Sequence, residues 1–261
     1  MNSFNTLLTA AVTTATLSLA AGTASAATLL ALGADGQLFK IDSSSQKVTA
    51  TMATNSPSPL RGIDVRPANG MLYALSNDHQ LHTLDLATGA ASKVASLNKQ
   101  LPGSGQAVID FNPVADKLRM LAADGTSFRV NVETGEVVVD GSVAYAAEGP
   151  YAGKSAKVVA GAYSNAYAGT QATALYTVDL ASSNLMLQNP PNNGIQQAVG
   201  KIVDGLQNAA LDIASDGKGG NTAYLLTGTT LHTLDLATGK PTTLGDIAGL
   251  PGNIIDIAVL P

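Results

Sequence analysis

Four aspartates recur in the same short setting: Ile63-Asp64-Val65, Ile109-Asp110-Phe111, Leu211-Asp212-Ile213 and Ile255-Asp256-Ile257. With a degenerate copy, Gly161-Ala162-Tyr163, between the second and third, the steps are 46, 52, 50 and 44 residues. A carboxylate between apolar neighbours on a strand is set up for burial. Gathered around one axis, such acids would offer oxygen ligands to Ca²⁺ or an acid/base pair to a glycoside. A plainer duty is to accept backbone N–H bonds from the adjoining element. Repetition favours that duty, because a catalytic group has no need to recur in four copies.

A second cluster is aromatic. Five of the seven tyrosines lie between residues 145 and 176. Tyr145, Tyr151, Tyr163 and Tyr167, with Asn165 and Asn192, would make a polar-aromatic surface suited to a sugar or a peptide. Half-buried tyrosines at strand ends would leave the same trace. His79, His82 and His232 resemble a metal set at first sight. Aligned on a turn residue three positions on, however, His82 and His232 share a slot with Phe39, Phe128 and Tyr176. That slot wants a planar ring on a packed strand face, with the imidazole hydrogen-bonded to the next blade.

Several chemistries are excluded. There is no cysteine, so disulfides, cysteine zinc sites and thiol catalysis are ruled out together. A formal net charge of −5 supplies no basic field for phosphates, so nucleic acid is not an expected partner. The glycine-rich Asp216–Asn221 stretch lacks the spacing and the following helix of a phosphate loop. No nucleophile elbow, zinc-protease motif or EF-hand loop is present.

The elements that must position these residues follow from a repeat. Leu81-His-Thr-Leu-Asp-Leu-Ala-Thr-Gly89 recurs letter for letter as Leu231 to Gly239, with weaker copies at 38–42, 128–135 and 175–179. Its turn residues, at 42, 85, 131, 179 and 235, keep the period of the aspartate motif, about 47 residues. Each period holds short aliphatic runs divided by turn residues, the pattern of four strands per repeat. The sequence therefore predicts an all-β β-propeller of about five four-stranded blades. The last motif, 254–259, has no partners after it, and the first copy, 38–42, has no inner strand before it. Pairing of 254–259 with 29–33 would complete one blade and close the ring, removing exposed sheet edges. In the irregular fourth repeat the two motifs stand 17 residues apart instead of 21, which predicts a short or lost strand there.

Residues 1–26 carry no charged side chain and end in Ala24-Ser25-Ala26, the small-x-small pattern of a signal peptidase site. The expected organisation is a signal peptide at 1–26 and a single propeller domain at 27–261. That places the mature chain in the periplasm or outside the cell, with no membrane insertion after the signal is removed.

Val108–Arg119, Phe128–Gly135, Val158–Asn165 and Gln188–Gly194 together resemble a bacterial family known as domain of unknown function 4394. The resemblance spans most of the chain beyond residue 26. It implies exported, β-propeller-like proteins with no assigned activity and no catalytic residues to carry over. The expected function is a non-catalytic binding or interaction module for a small molecule, a glycan or a protein. One alternative is a hydrolase or lyase acting on a sugar or lactone through Asp64, Asp110, Asp212 or Asp256. The other is a calcium-stabilised surface protein. No cofactor besides calcium is expected.

Overall fold

The computed structural model describes residues 26–261. The segment read as an export signal lies outside them, apart from Ala26. The first blade contributes β1 (Thr28–Gly33), β2 (Gln37–Asp42) and β3 (Lys47–Ala53), and the second β4 (Leu60–Val65), β5 (Leu72–Ser76), β6 (Gln80–Leu84) and β7 (Ala91–Ser96). The third holds β8 (Val108–Asn112), β9 (Lys117–Leu121), β10 (Ser127–Val130) and β11 (Val137–Val139). The fourth holds β12 (Ala144–Tyr145), β13 (Val158–Tyr163), β14 (Leu175–Asp179), β15 (Asn184–Gln188) and β16 (Ile195–Lys201). The fifth holds β17 (Ala210–Ser215), β18 (Asn221–Thr227), β19 (Thr230–Leu234) and β20 (Pro241–Asp246), and β21 (Ile254–Val259) returns to the first. Among the described residues no helix is long and apolar enough to cross a membrane.

These strands form five antiparallel blades, a five-bladed propeller. β21 joins β1 with Leu29 opposite Val259 and Ala31 opposite Ile257, so the expected closure of 254–259 against 29–33 is present. The inner strands β21, β4, β8, β13 and β17 each adjoin the next around the axis. A blade is packed on both faces by its neighbours, so inner strands such as Leu60-Arg-Gly-Ile-Asp-Val65 are buried almost from end to end. The core lies between blades: Tyr73 and Leu81 of the second pack on Phe111, Met120 and Phe128 of the third. Tyr73 meets Phe111 edge-on with ring centres 5.2 Å apart. Each such Leu or Phe contributes about 1.5–3 kcal/mol of burial.

The Asp-Leu-Ala-Thr-Gly turn joins the third and fourth strands of a blade. Asp85 accepts the N–H groups of Ala87 at 2.9 Å and Thr88 at 2.8 Å. Gly89 takes φ 74°, where a side chain is strained. A Cβ on Gly89 would also stand 2.4 Å from Ala53 O on the preceding blade. Blade packing as well as turn geometry therefore demands glycine there.

The fourth blade departs from expectation in two ways. No strand is lost; the two-residue β12 is added outside β16 and runs parallel to it. The copy at Leu175–Asp179 is also misaligned, because it forms the second strand, not the third. The equivalent of the Asp-Leu-Ala-Thr-Gly turn is Asn189–Gly194, and Gly194 has φ 72° and lies against Ser142 O as Gly89 lies against Ala53 O. Asp179 is fully buried and accepts from Tyr145 Oη, Lys157 N and Ser182 N.

His82 and His232 bond within their blades, not between them as expected. His82 Nε2 lies 3.2 Å from Ser76 Oγ. His232 lies 3.0 Å from Thr227 Oγ1 through Nε2 and 3.0 Å from Thr243 Oγ1 through Nδ1. Burial lowers both imidazole pKa values, so the rings sit neutral.

Candidate functional site

Four of the five inner strands carry an aspartate between apolar neighbours, and each reaches sideways to the next strand. Asp256 accepts from Ile63 N of β4 at 2.8 Å, and Asp64 from Phe111 N of β8 at 2.6 Å. Asp110 accepts from Tyr163 N of β13 at 2.8 Å, and Asp212 from Val259 N of β21 at 2.5 Å. Four of the five seams are laced this way. At the fifth, between β13 and β17, Ala162 replaces the acid. That seam is tied by an amide pair instead, Asn165 N to Asn221 Oδ1 at 2.8 Å and Asn221 Nδ2 to Asn165 Oδ1 at 2.9 Å.

The strands are staggered, and the stagger divides the acids. Asp212 bonds residue 259, three positions beyond Asp256. Asp64, Asp110 and Asp212 come together with carboxylate oxygens within 4.8 Å of one another, whereas Asp256 stays outside the group. The three line a cavity of about 540 Å³ at the C-terminal ends of the inner strands. Val65, Pro67 and Ile213 give it apolar walls, Tyr167 and Thr222 polar ones, and among the described residues no Lys, Arg or His lines it.

The acids are 4–7% exposed, and burial is the first cause that pushes all three carboxyls up. Mutual repulsion adds to the rise at Asp64 and Asp110, and backbone N–H donors oppose it at every one. Asp212 is pushed up to about 6. Asp64 and Asp212 also accept from the N–H of their own next residues, Val65 and Ile213, both at 2.6 Å. Five of the six carboxylate oxygens thus take a backbone donor. Asp110 Oδ2 takes none among the described residues.

The axis is shut at its other end by Gln106. Its Nε2 lies 3.0 Å from Val159 O, 3.2 Å from Ala209 O and 2.7 Å from Ile255 O, three carbonyls from three blades. The cavity opens at one end only.

The tyrosine and asparagine set is spread over several places. Tyr163 is 1% exposed, and its hydroxyl accepts from Arg119 Nε at 3.3 Å. Tyr145 is buried with its hydroxyl on Asp179, beside Tyr151 with ring centres 5.3 Å apart. Tyr145 and Tyr151 line a small cavity on the flank of the fourth blade, and Tyr163 a different one between the third and fourth. Asn165 serves the seam to Asn221, and Asn192 Oδ1 accepts from Arg119 Nη2 at 2.7 Å. Of that set only Tyr167 reaches the axial cavity, which Tyr224 of the fifth blade also lines.

Sequence reasoning missed the arginines. Arg119 is fully buried and joins Asp140, Ser127 and Asn192, while Asp140 also holds Arg129. Arg61 donates to Leu101 O, Pro102 O and Gly105 O, pinning the connection into the third blade. The one signal was Arg119 standing between the apolar Leu118 and Met120 in β9.

A family described as Domain of unknown function (DUF4394) matches residues 37–258. No curated protein matches the chain. Among solved structures, a protein of unknown function from Bacteroides thetaiotaomicron superposes with a TM-score of 0.54 at 17% identity, over 90% of this chain and 65% of that one. A chain of the nidogen/laminin complex gives 0.52 at 11% identity, over 90% and 98%. A protein of unknown function from Bacteroides caccae gives 0.46 at 11%, over 90% and 99%. At such identities the likeness is one of fold alone.

Proposed function

The chain belongs to the DUF4394 family, a membership that assigns it no activity, and we propose from its axial cavity that it is an exported, non-catalytic binding module for small amine-bearing ligands. One observation carries this reading: in a one-ended cavity without a basic side chain, Asp110 lines the wall and its Oδ2 takes no donor among the described residues. An ammonium placed there supplies the missing donor and offsets the repulsion among Asp64, Asp110 and Asp212. The cavity volume falls within the range of small-molecule sites, about 300–1,000 Å³. Export rests on residues 1–26 and is checked by sequencing the N-terminus of the secreted protein, expected at Ala27.

The test is calorimetric titration at pH 7.5 with amines matched to neutral isosteres, cyclohexylamine against cyclohexanol and tyramine against 4-ethylphenol. The amines are expected to bind at least tenfold more tightly, with affinity rising with pH through about 6 as Asp212 ionises. Equal binding of amine and alcohol would overturn the reading.

Calcium is a second reading, favoured by three carboxylates within 4.8 Å. Against it stand the five oxygens already engaged by N–H groups, since Ca²⁺ asks for six to eight oxygen ligands. On that reading EDTA lowers the melting temperature; on the first it leaves it unchanged.

A further inference from the structure

A second cavity, of about 470 Å³, lies between the third and fourth blades. The connection from β13 to β14 divides it from the axial cavity, with residues 166–168 facing one and 171–174 the other. Their chemistry differs. This groove holds no charged side chain; its polar groups are the amides of Asn112, Gln171, Gln188 and Asn189 and the hydroxyls of Thr173 and Tyr163.

The walls are fixed before any ligand arrives. Thr177 Oγ1 donates to Gln196 Oε1, Gln196 Nε2 to Gln188 Oε1, and Gln188 Nε2 to Pro191 O, at 2.6, 2.7 and 2.6 Å. On the other side Thr173 Oγ1 donates to Ser164 O at 2.6 Å, and Asn165 Nδ2 to Ala172 O at 2.9 Å. Against this held frame, some groups stay unused. Asn112 Nδ2, Gln171 Oε1 and the side-chain amide of Asn189 make no hydrogen bond among the described residues. Asn112 Oδ1 is held by Val114 N and Ala115 N at 2.9 Å, which aims its Nδ2.

We infer that this groove binds a neutral sugar residue of an oligosaccharide. An ion would give up hydration there and meet no opposite charge, which is costly. A sugar hydroxyl is donor and acceptor at once, and a primary amide answers with both. Rigid walls spare the ordering cost that otherwise weakens such polar contacts. This site is separate from the amine cavity and does not depend on it.

An array of neutral and charged oligosaccharides, followed by calorimetry on the best neutral binder, tests the inference. Gln171 and Asn189 are exposed, so the double variant Gln171→Ala/Asn189→Ala is expected to keep its melting temperature while losing affinity about tenfold, from two or three hydrogen bonds of ordinary strength. Asp110→Asn is expected to leave sugar binding unchanged, which separates this site from the axial one. Binding of charged sugars alone, of none, or wild-type affinity in the double variant would overturn it.

Discussion

The two ends of the propeller axis solve the same geometric problem differently. Where the inner strands begin, three carbonyls converge and Gln106 brings them one amide donor; the end is neutral and shut. Where the strands finish, three carboxylates converge, one oxygen lacks a donor, and a cavity stands open above them. The difference teaches how to separate architecture from function in a repeat protein. Most acceptors that architecture alone requires are matched by donors, and carboxylates gathered at a cavity with an oxygen to spare mark a place for something else.

The closed end is the easier to break. Gln106→Leu removes the donor and leaves the carbonyls to whatever water can enter, at an expected cost of about 1–3 kcal/mol in urea unfolding. A change below the error of the measurement would mean that the amide does not hold these blades together. Asp256 comes next, because it laces a seam but stands outside the acidic group. Both its oxygens accept N–H bonds, so Asp256→Asn turns an amide NH₂ toward a backbone donor and is expected to lose about 1–2 kcal/mol. Stability unaltered by that change would erase the distinction between lacing acids and cavity acids.

Acidity sharpens the same contrast. A carboxyl whose pKa is raised in the fold favours folding while protonated; its contribution is whole below about pH 4 and is lost as pH rises through the folded value. Asp64, Asp110, Asp212 and Asp256 are all of this kind, with Asp212 at about 6. Asp42 and Asp85 in the turns, and Asp116 and Asp140 beside arginines, are shifted down, so their contribution is lost as pH falls below about 4. The melting temperature is therefore expected to peak between about pH 4 and 6, and scans from pH 3 to 8 check it. A monotonic rise toward pH 8 would deny that burial holds the axial carboxyls up.

The ring was legible in the sequence because its two repeated motifs keep one period and its two end pieces complement each other. The fourth blade was misread because Leu175–Asp179 imitates the repeated strand while the true turn, Asn189–Gly194, is spelled differently. Only the glycine survives in common, and the physical reason, close contact with the preceding blade, is a tertiary one. That the four aspartates line the axis was readable from their spacing. That three gather and Asp256 does not was hidden, since it depends on the stagger between inner strands. Arg119, Arg61 and Gln106 bond across distances in sequence that no local pattern records.

The most direct measurement is the sign of the stability change in Asp110→Asn at pH 7.5, where a surplus acceptor and a structural one give opposite answers. The amide that this substitution introduces can keep the Tyr163 N–H bond through its carbonyl and turn its NH₂ toward Asp64 and Asp212, relieving repulsion. The melting temperature is expected to rise by roughly 2–4 °C, corresponding to about 1 kcal/mol in a domain of this size. A fall like that of Asp256→Asn would make Asp110 one more lacing residue and leave the axial cavity without a ligand to explain it.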